Sequence, residues 1–285
     1  MIRSWSGQRR REAALRGLVL AIAVGIVLLP LIWTMLAAVG IQPDNHTSPP
    51  SWVVRPSLDH LADVSTIEPA FWQELATSVG LSVGAAVVAV TLSFLAAYGI
   101  ARPGRRAARR LNPALLVLAT LPAMAYVLPL RDVVRRFGLL DTIPGILLAE
   151  VAATAPLAVY VFIAHLAGGS RDREEAAGID GASPLQILRD VVLPDAASIV
   201  AATTIVLIVL DWNFLLTPLV LTGINVRTLP VVLTDLFTLE REVDWPTAAA
   251  ALTISFVPLV ALIGLLHRVV ERFNLAGGDP SGDAT

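Results

Sequence analysis

The sequence predicts an all-α integral membrane protein with six transmembrane helices and a polar loop between the fourth and the fifth. Of its 285 residues, 55% are hydrophobic and only 15% are charged, whereas soluble domains carry about 25% charged residues. The mean hydropathy is +0.72. A helix needs about 20 mostly apolar residues to cross the ~30 Å hydrocarbon core. Six such runs are present, at about 15–39, 74–101, 111–130, 143–167, 196–221 and 247–270.

The first run follows several arginines, a combination that is also typical of a secretory signal. The run is longer than the apolar core of most signals, and no small-residue cleavage site precedes the polar segment after it. We therefore expect residues 1–14 to form an N-terminal arm and residues 15–39 to be a retained spanning helix. Pro30 is expected to kink this helix.

Prolines and polar segments mark the other boundaries. Pro122 and Pro129 predict a bend in the third span, and residues 131–141 read as a short amphipathic linker. The tail, 271–285, is rich in Gly and Asp, and its composition predicts disorder.

The distribution of arginine predicts the orientation. The chain has no lysine, and fifteen of its 21 basic residues lie on the side of the N-terminus if all six runs span the membrane. Because positive charge is enriched on the cytoplasmic side, both termini and the polar loop are expected in the cytoplasm. The arginines of 131–136 run against this rule. No basic domain suggests a nucleic-acid partner.

The polar loop, residues 168–195, has the signals of two short helices. Residues 171–177 are good helix formers, and Asp180-Gly181 is a turn pair. Ser183 begins a second helix as its N-cap, with Pro184 in the first turn and Gln186 completing a capping box. The second helix has one apolar face and a proline that stops it; these residues are Leu185, Leu188, Val192 and Pro194.

Two interpretations of this loop stay open on spacing alone. It is either a capped hairpin that only connects two spans, or a docking surface for another protein. Its small residues would let a second backbone approach closely, and charged side chains surround them. The small residues are Ala176, Ala177, Gly181 and Ala182; the charged ones are Glu175, Asp180 and Arg189.

The spacing of the loop also resembles a known signature. Glu175-Ala176-Ala177, three residues, Gly181, nine residues and then Val191-x-Leu193-Pro194 is similar to the motif of binding-protein-dependent ABC importer permeases. The sequence at 180–183 resembles the carbohydrate-uptake, maltose-type branch. The Ala-Ala-Tyr-x-x-Ala-Arg sequence at 96–102 and Trp-Asn at 212–213 extend the resemblance beyond the loop.

This resemblance implies the type I ABC importer permease fold and a bacterial inner-membrane location. The partners would be a second homologous permease, an ATPase dimer and an extracytoplasmic solute-binding protein, which the outer loop 222–245 would contact. The polar loop would be the coupling helix that docks on the ATPase, with its Leu185 and Leu188 face packed on the chain's own cytoplasmic helix ends. The expected coupling residues are Glu175, Ala176, Ala177, Asp180, Gly181, Ala182, Ser183, Leu193 and Pro194.

No enzyme chemistry is expected in this chain. Without lysine it cannot contain the phosphate-binding sequence G-x-x-x-x-G-K-[ST], so ATP and magnesium would be bound by the partner ATPase. There is no cysteine, and the four histidines lack metal-ligand spacing. We expect no metal and no cofactor in this chain.

Two intramembrane carboxylates are the remaining candidates for function. A carboxylate inside a membrane is costly and suggests a functional site, although a helix–helix hydrogen bond would also explain it. In the family that the sequence resembles, the fifth helix lines the translocation path. We therefore expect Asp211, Trp212 and Asn213 to line the path, with Glu150 of the fourth span as a further candidate.

The function expected from the resemblance is ATP-driven import of a sugar or sugar-like solute. A glycerophosphodiester or an amino sugar is the alternative within transport. A non-transporting membrane scaffold and a secondary transporter driven by an ion gradient are alternatives of other classes, and the secondary transporter leaves the polar loop unexplained.

Overall fold

The computed structural model describes residues 3–44, 51–102, 105–168, 171–236 and 245–277. The chain divides into two compact units. The first comprises Met1–Phe71 and Asp235–Phe256, and the second comprises Trp72–Thr234 and Val257–Thr285.

The first unit begins with one long helix, α1 (Arg3–Ala38), which keeps Pro30 in its interior. The side chains of 15–33 are exposed along this helix, as expected for a surface that lies against lipid. Helix α1 begins well before residue 15, so the predicted arm is, from Arg3 onward, the first part of the same helix. It forms a helix there because residues 8–16 are mostly good helix formers.

A short hairpin follows α1, with strands β1 (Ile41–Asp44) and β2 (Ser51–Val54) paired antiparallel. Gly40 precedes β1 with φ +79°, and a Cβ atom there would lie 2.4 Å from the carbonyl oxygen of Arg55. Only glycine fits this turn. The unit also contains helix α2 (Asp59–Ile67).

The second unit contains most of the helices. They are α3 (Phe71–Ala101), α4 (Arg105–Ala119), α5 (Ala123–Arg136), α6 (Ile143–Gly168), α7 (Asp172–Ile179), α8 (Pro184–Ile187), α9 (Leu193–Asp195), α10 (Ala197–Trp212), α11 (Leu216–Leu221) and α12 (Leu229–Leu236). A π-helical turn, Leu188–Val192, connects α8 to α9. The last helix, α13 (Trp245–Gly277), continues from the first unit into the second.

A face of small residues on α3 forms the centre of the second unit. Ala85, Ala86 and Ala89 are fully buried in a cluster with residues of α6 and α10. Small side chains let membrane helices approach closely. Near the end of this face, the rings of Phe94 and Phe162 meet edge to face at 5.3 Å, an arrangement that aromatic pairs favour.

Four helices are long and apolar enough to cross a membrane, and up to six spans result if each bent helix pair counts as one. The four are Leu15–Ala38, Phe71–Ala101, Ile143–Gly168 and Trp245–Leu266, which correspond to the first, second, fourth and sixth predicted runs. The third and fifth runs form broken helices.

The third run breaks at Pro122. Helices α4 and α5 meet there at 92°, and α5 continues to Arg136, so the predicted linker at 131–141 is partly helical. Pro122 has no N–H to donate to the preceding turn, and it disfavours a helical conformation at Leu121. The predicted bend is confirmed at Pro122, whereas Pro129 lies inside α5.

The fifth and sixth runs differ from their predicted bounds in opposite ways. Helix α10 begins at Ala197 as expected but ends at Trp212, and a separate short helix, α11, follows from Leu216. Helix α13 continues to Gly277, so the first part of the predicted tail is helical. Residues 278–285 of that tail lie outside the described residues.

Candidate functional site

The polar loop folds into a helical hairpin, which we define as residues 171–195. Helix α7 ends at Ile179, and Asp180 and Gly181 form the turn before α8. Gly181 has φ +85°, and the N–H of Ala182 donates to the carbonyl of Ala177 at 3.0 Å. This closes the C-terminal end of α7 in the manner of a glycine cap. The predicted turn is confirmed.

The predicted capping box is also present. Ser183 Oγ accepts a hydrogen bond from the N–H of Gln186 at 3.4 Å, and Gln186 Oε1 accepts one from the N–H of Ser183 at 2.7 Å. Pro184 occupies the first turn of α8, where its missing N–H costs nothing. Neighbouring residues at 183–186 therefore determine the direction in which the second arm of the hairpin, residues 184–195, leaves the turn.

Arg171 attaches the first arm of the hairpin to the end of α3. Its guanidinium donates to the carbonyl of Ala101 at 2.7 Å and to that of Arg102 at 3.4 Å. The last carbonyls of a helix lack intrahelical partners, and a cation there is favoured by the helix dipole. Arg102 in turn forms an ion pair with Glu174, and both side chains are partly buried. We call these contacts of Arg171, Arg102 and Glu174 the clamp.

A second ion pair lies at the other end of the hairpin. Arg173 Nη1 is 2.6 Å from Asp195 Oδ1, and both side chains are exposed. This pair connects α7 to α9. A cavity of about 170 Å³ lies beside it and is lined by residues of both arms and of the ends of α3 and α6, including Glu174 and His165.

The expected coupling residues lie on this hairpin, and most of them are exposed. Glu175, Ala176, Asp180 and Gly181 are exposed; Ser183, Leu193 and Pro194 are exposed as well, and Ala177 and Ala182 are half-buried. The prediction that Leu185 packs on the helix ends is wrong: its side chain is 73% exposed, because it lies in the first turn after the hairpin bend. Val192 is buried, and Ile187 and Leu188 pack beside it against the core.

Pro194 does not stop the second helix by itself, since the helical run continues to Asp195. In the π-helical turn before it, the N–H of Leu193 donates to the carbonyl of Leu188, five residues back. This wider turn makes room for a proline ring, which would clash with the preceding turn of an ordinary α-helix. The run ends at Ala196, where the chain turns by 74° into α10.

The two intramembrane carboxylates lie together. Glu150 on α6 and Asp211 on α10 are 2% and 4% exposed, and both line one small cavity. Trp212 lines the same cavity and is buried. Asn213 does not line it: this side chain is exposed and donates to the carbonyl of Val209 at 2.7 Å. The structure thus groups three of the four residues predicted to line the path and separates the fourth.

Three of the four carboxylate oxygens in this cavity lack partners in the described part of the chain. Glu150 Oε2 and both carboxylate oxygens of Asp211 are buried without a hydrogen bond. The same holds for Thr228 Oγ1, which also lines the cavity. Buried polar groups are nearly always hydrogen-bonded, so these orphaned acceptors indicate a site that an additional group completes.

Sequence reasoning missed Asp141, which anchors the loop after α11. Its carboxylate accepts hydrogen bonds from the N–H groups of four consecutive residues, 223–226, at 2.8–3.1 Å, and from the side chain of Asn225 at 2.9 Å. These N–H groups, those of Asn225 and Gly223 foremost, lower the pKa of Asp141 to about 2. Asp141 also has φ +57°. The available signal was an acidic residue just before a helix in a Gly-containing loop. This signal does not indicate that the N–H groups of 223–226 are its hydrogen-bond partners.

Comparison with known proteins identifies the family of this chain. The family described as "Binding-protein-dependent transport system inner membrane component" matches residues 89–274, which include the clamp, the hairpin and both carboxylates of the cavity. The chain belongs to this family. It is therefore the membrane-spanning permease subunit of an ABC importer rather than an enzyme.

Relatives of this permease cover nearly its whole length. The trehalose transport system permease protein SugB of Mycobacterium tuberculosis (strain CDC 1551 / Oshkosh) is 32% identical over 258 residues, which is 87% of this chain and 90% of the relative. The trehalose/maltose transport system permease protein MalG of Thermococcus litoralis is 26% identical over 276 residues, 94% of this chain and 98% of the relative.

A solved structure shares the fold of this permease. A chain of a bacterial ABC transporter involved in the import of the acidic polysaccharide alginate superposes with a TM-score of 0.72 and 21% identity. The match covers 92% of this chain and 97% of that one. At this identity the likeness establishes the fold alone, and it confirms the predicted all-α ABC importer permease fold.

Proposed function

We propose that this permease subunit carries a sugar or sugar-like solute across the membrane, driven by ATP hydrolysis in a separate ATPase. An extracytoplasmic binding protein delivers the solute, and a second homologous permease and an ATPase dimer complete the importer. ATP and magnesium bind to the ATPase. The sugar assignment is supported by the relatives, which are named for trehalose and maltose.

The hairpin is the observation that supports coupling. Its turn carries two large apolar side chains that nothing in the described chain covers: Ile179 is 86% exposed and Leu185 is 73% exposed. They lie on either side of the Gly181 turn, next to the small residues at 176–177 and 182. Exposed apolar side chains beside small residues are typical of a protein interface. We infer that an ATPase subunit covers them.

The clamp supports the proposal that movement of the hairpin is transmitted to the membrane helices. Because Arg171 and the Arg102–Glu174 pair attach α7 to the end of α3, a displacement of the hairpin by the ATPase would also displace α3. The packing of Val192 against the core connects the second arm to the same helices. Closure of the ATPase dimer would thus reach the membrane part through rigid elements.

The orientation follows from the same proposal. The hairpin, the N-terminus and the C-terminus would lie in the cytoplasm, in keeping with the arginine distribution. The chain would comprise a membrane-spanning permease domain over about 15–270, with the hairpin inserted in it. That Asp211, Trp212, Asn213 and Glu150 line the solute path stays a prediction.

Replacing Gly181 by valine tests the coupling proposal. A Cβ at Gly181 would meet no atom within 4 Å, so the change acts through φ +85° alone, a conformation that a β-branched residue adopts only with strain. We expect Gly181→Val to insert in the membrane, to uncouple ATP hydrolysis from uptake and to reduce co-purification of the ATPase. Gly178→Ala is the matched control, because Gly178 lies inside α7 with the same free space.

Normal uptake in the Gly181→Val variant would refute the coupling role of the hairpin. Uptake that survives deletion of the whole chain would refute the transport role and favour a scaffold. The solute class is tested separately, by thermal-shift screening of the partner binding protein with sugars, amino sugars and glycerophosphodiesters. Stabilisation by a phosphodiester or an amino sugar alone would replace the sugar assignment.

A further inference from the structure

The cavity between Glu150 and Asp211 has the properties of a cation site. It is small: only about 10 Å³ of it is open to a water-sized particle, roughly the room that one water molecule needs. The lining includes, besides the two carboxylates, the hydroxyl-bearing residues Ser78, Ser82 and Thr228. Ser78 Oγ accepts from the N–H of Leu229 and Ser82 Oγ donates to the carbonyl of Ser78, whereas Thr228 Oγ1 has no partner among the described residues. Oxygen atoms are the ligand type that alkali and alkaline-earth cations prefer.

The charges around the cavity leave both carboxylates uncompensated. No residue that lines the cavity in the described chain is basic. Two charged residues adjoin the lining in the sequence: Glu74, one turn before Ser78 on α3, and Arg227, next to Thr228. These two form their own ion pair, with Arg227 Nη1 3.3 Å from Glu74 Oε1. Arg227 therefore already has a carboxylate partner and does not balance Glu150 or Asp211.

Two buried carboxylates that face one cavity repel each other if both are ionised and unpaired. In proteins such charges are paired or bind a metal ion, since an isolated ionised carboxylate is strongly disfavoured away from water. Within the described residues, Glu150 and Asp211 do not belong to a group of three or more His, Cys, Asp or Glu side chains, so a cation between them would be held by two carboxylates and hydroxyl oxygens. One shared positive charge relieves the repulsion of the two carboxylates, as when two carboxyl groups share one proton.

We propose that Glu150 and Asp211 together bind one monovalent cation inside this subunit, carried either as a proton shared by the two carboxyl groups or as a sodium ion. The site joins α6 to α10, because one carboxylate lies on each helix. Occupancy would hold these helices together, and loss of the cation would separate them. This role is independent of the solute and of the ATPase.

The test measures the thermal stability of the purified full-length chain in detergent, followed through a fused fluorescent protein and size-exclusion chromatography. One arm replaces sodium chloride by choline chloride at constant pH and ionic strength. The other raises the pH from 6 to 9 without sodium. If the bound cation is sodium, the midpoint of thermal unfolding should fall by about 3 °C or more in the first arm. If it is a shared proton, the same fall should occur in the second arm.

Isosteric amides assign the effect to the site. Glu150→Gln and Asp211→Asn each remove one negative charge. We expect each single variant to weaken the dependence of the unfolding midpoint on sodium or pH, and the double variant to abolish it. Asp190→Asn, an exposed carboxylate on the hairpin, is the matched control and should behave as the unaltered chain. The single variants suffice if the double variant does not fold.

Two outcomes would overturn the proposal. One is an unaltered chain whose midpoint responds to neither sodium nor pH. The other is a response that persists undiminished in both single amide variants. Because the readout is stability, neither outcome depends on whether the chain imports a sugar, and failure of the import proposal would leave this result unchanged.

Discussion

Arg102 and Glu174, 72 residues apart in the chain, form an ion pair that joins the end of α3 to α7. Arg102 also lies over the ring of Tyr98 at 4.5 Å, a cation–π contact that orients the guanidinium. Burial raises the pKa of the Glu174 carboxyl, although Arg102 and Arg171 oppose this shift. The pair is therefore a partly desolvated contact at the point where the hairpin meets the helix bundle.

Reversing one charge of this pair should disrupt the clamp. Glu174→Arg places two cations together, and we expect it to lose at least the roughly 2 kcal/mol of a charge-assisted hydrogen bond and most solute uptake. The exchanged pair, Arg102→Glu with Glu174→Arg, should recover part of both. Uptake and thermal stability measure the effect.

The exposed pair of Arg173 and Asp195 provides the control for that experiment. Because both side chains are exposed, Arg173→Ala should reduce stability by no more than about 1 kcal/mol and leave uptake nearly unchanged.

An exchanged Arg102–Glu174 pair that recovers neither stability nor uptake would show that the contact acts through geometry rather than charge.

Asp141 should make the folding stability of the chain depend on pH. Its pKa is lowered from 3.8 to about 2 by backbone N–H groups of 223–226, so the unfolded chain binds the proton more readily than the folded one. The stabilisation by this carboxylate is present above about pH 4 and is lost as the pH falls from about 4 to about 2. Asp141→Asn should fold and should lower stability at neutral pH.

Thermal unfolding between pH 2 and pH 7 measures this effect. The difference in midpoint between the unaltered chain and Asp141→Asn should shrink as the pH falls from about 4 to about 2, since protonation of Asp141 then makes both side chains neutral. Asp132→Asn, another exposed carboxylate with no such backbone contacts in the described chain, should show a much smaller difference. A difference that is constant over this range would exclude the anchoring role of the charge.

Gly145 should tolerate no side chain. A Cβ atom there would lie 2.0 Å from the carbonyl oxygen of Leu139 and 3.2 Å from Val134 Cγ1. Because one of these contacts is backbone, Gly145→Ala must displace the connection between α5 and α6, at a cost of roughly 3 kcal/mol. Gly80→Ala, on a helix with nothing within 4 Å, should be neutral or stabilising. Chemical unfolding of both variants checks the contrast.

Ser183 should stabilise the second arm of the hairpin. Ser183→Ala removes the acceptor for the N–H of Gln186 and should cost about 1 kcal/mol, whereas Ser183→Asp keeps an acceptor and should cost little. Hydrogen exchange at the Gln186 amide measures the change locally. Unaltered protection of that amide in Ser183→Ala would show that the cap does not stabilise α8.

Local chemistry made the hairpin predictable from sequence. Its turn, its cap and its glycine depend on neighbouring residues, so Gly181 and Ser183 were identified correctly. The clamp was not predictable, because nothing near Glu174 indicates that Arg102 is its partner. Glu175 had been expected to contact the ATPase; its side chain is exposed, and that role stays a prediction.

The prolines show a second limit of sequence reasoning. Pro30, Pro113, Pro129, Pro156 and Pro258 all lie inside helices, whereas Pro122 stands at a sharp break. The covalent chemistry is identical at all six positions. What differs is whether the surroundings support a continuous helix around the missing hydrogen bond, and this depends on tertiary packing.

The π-helical turn at Leu188–Val192 sets the rotational phase between the two ends of the second arm. An α-helix turns by about 100° per residue, so one residue more or fewer rotates everything on one side of it by that amount. Because the wider turn accommodates one extra residue, converting it to an ordinary α-turn without a deletion would rotate the Gly181 turn by roughly 100°. The direction in which Ile179 and Leu185 face thus depends on how this one surplus residue is accommodated.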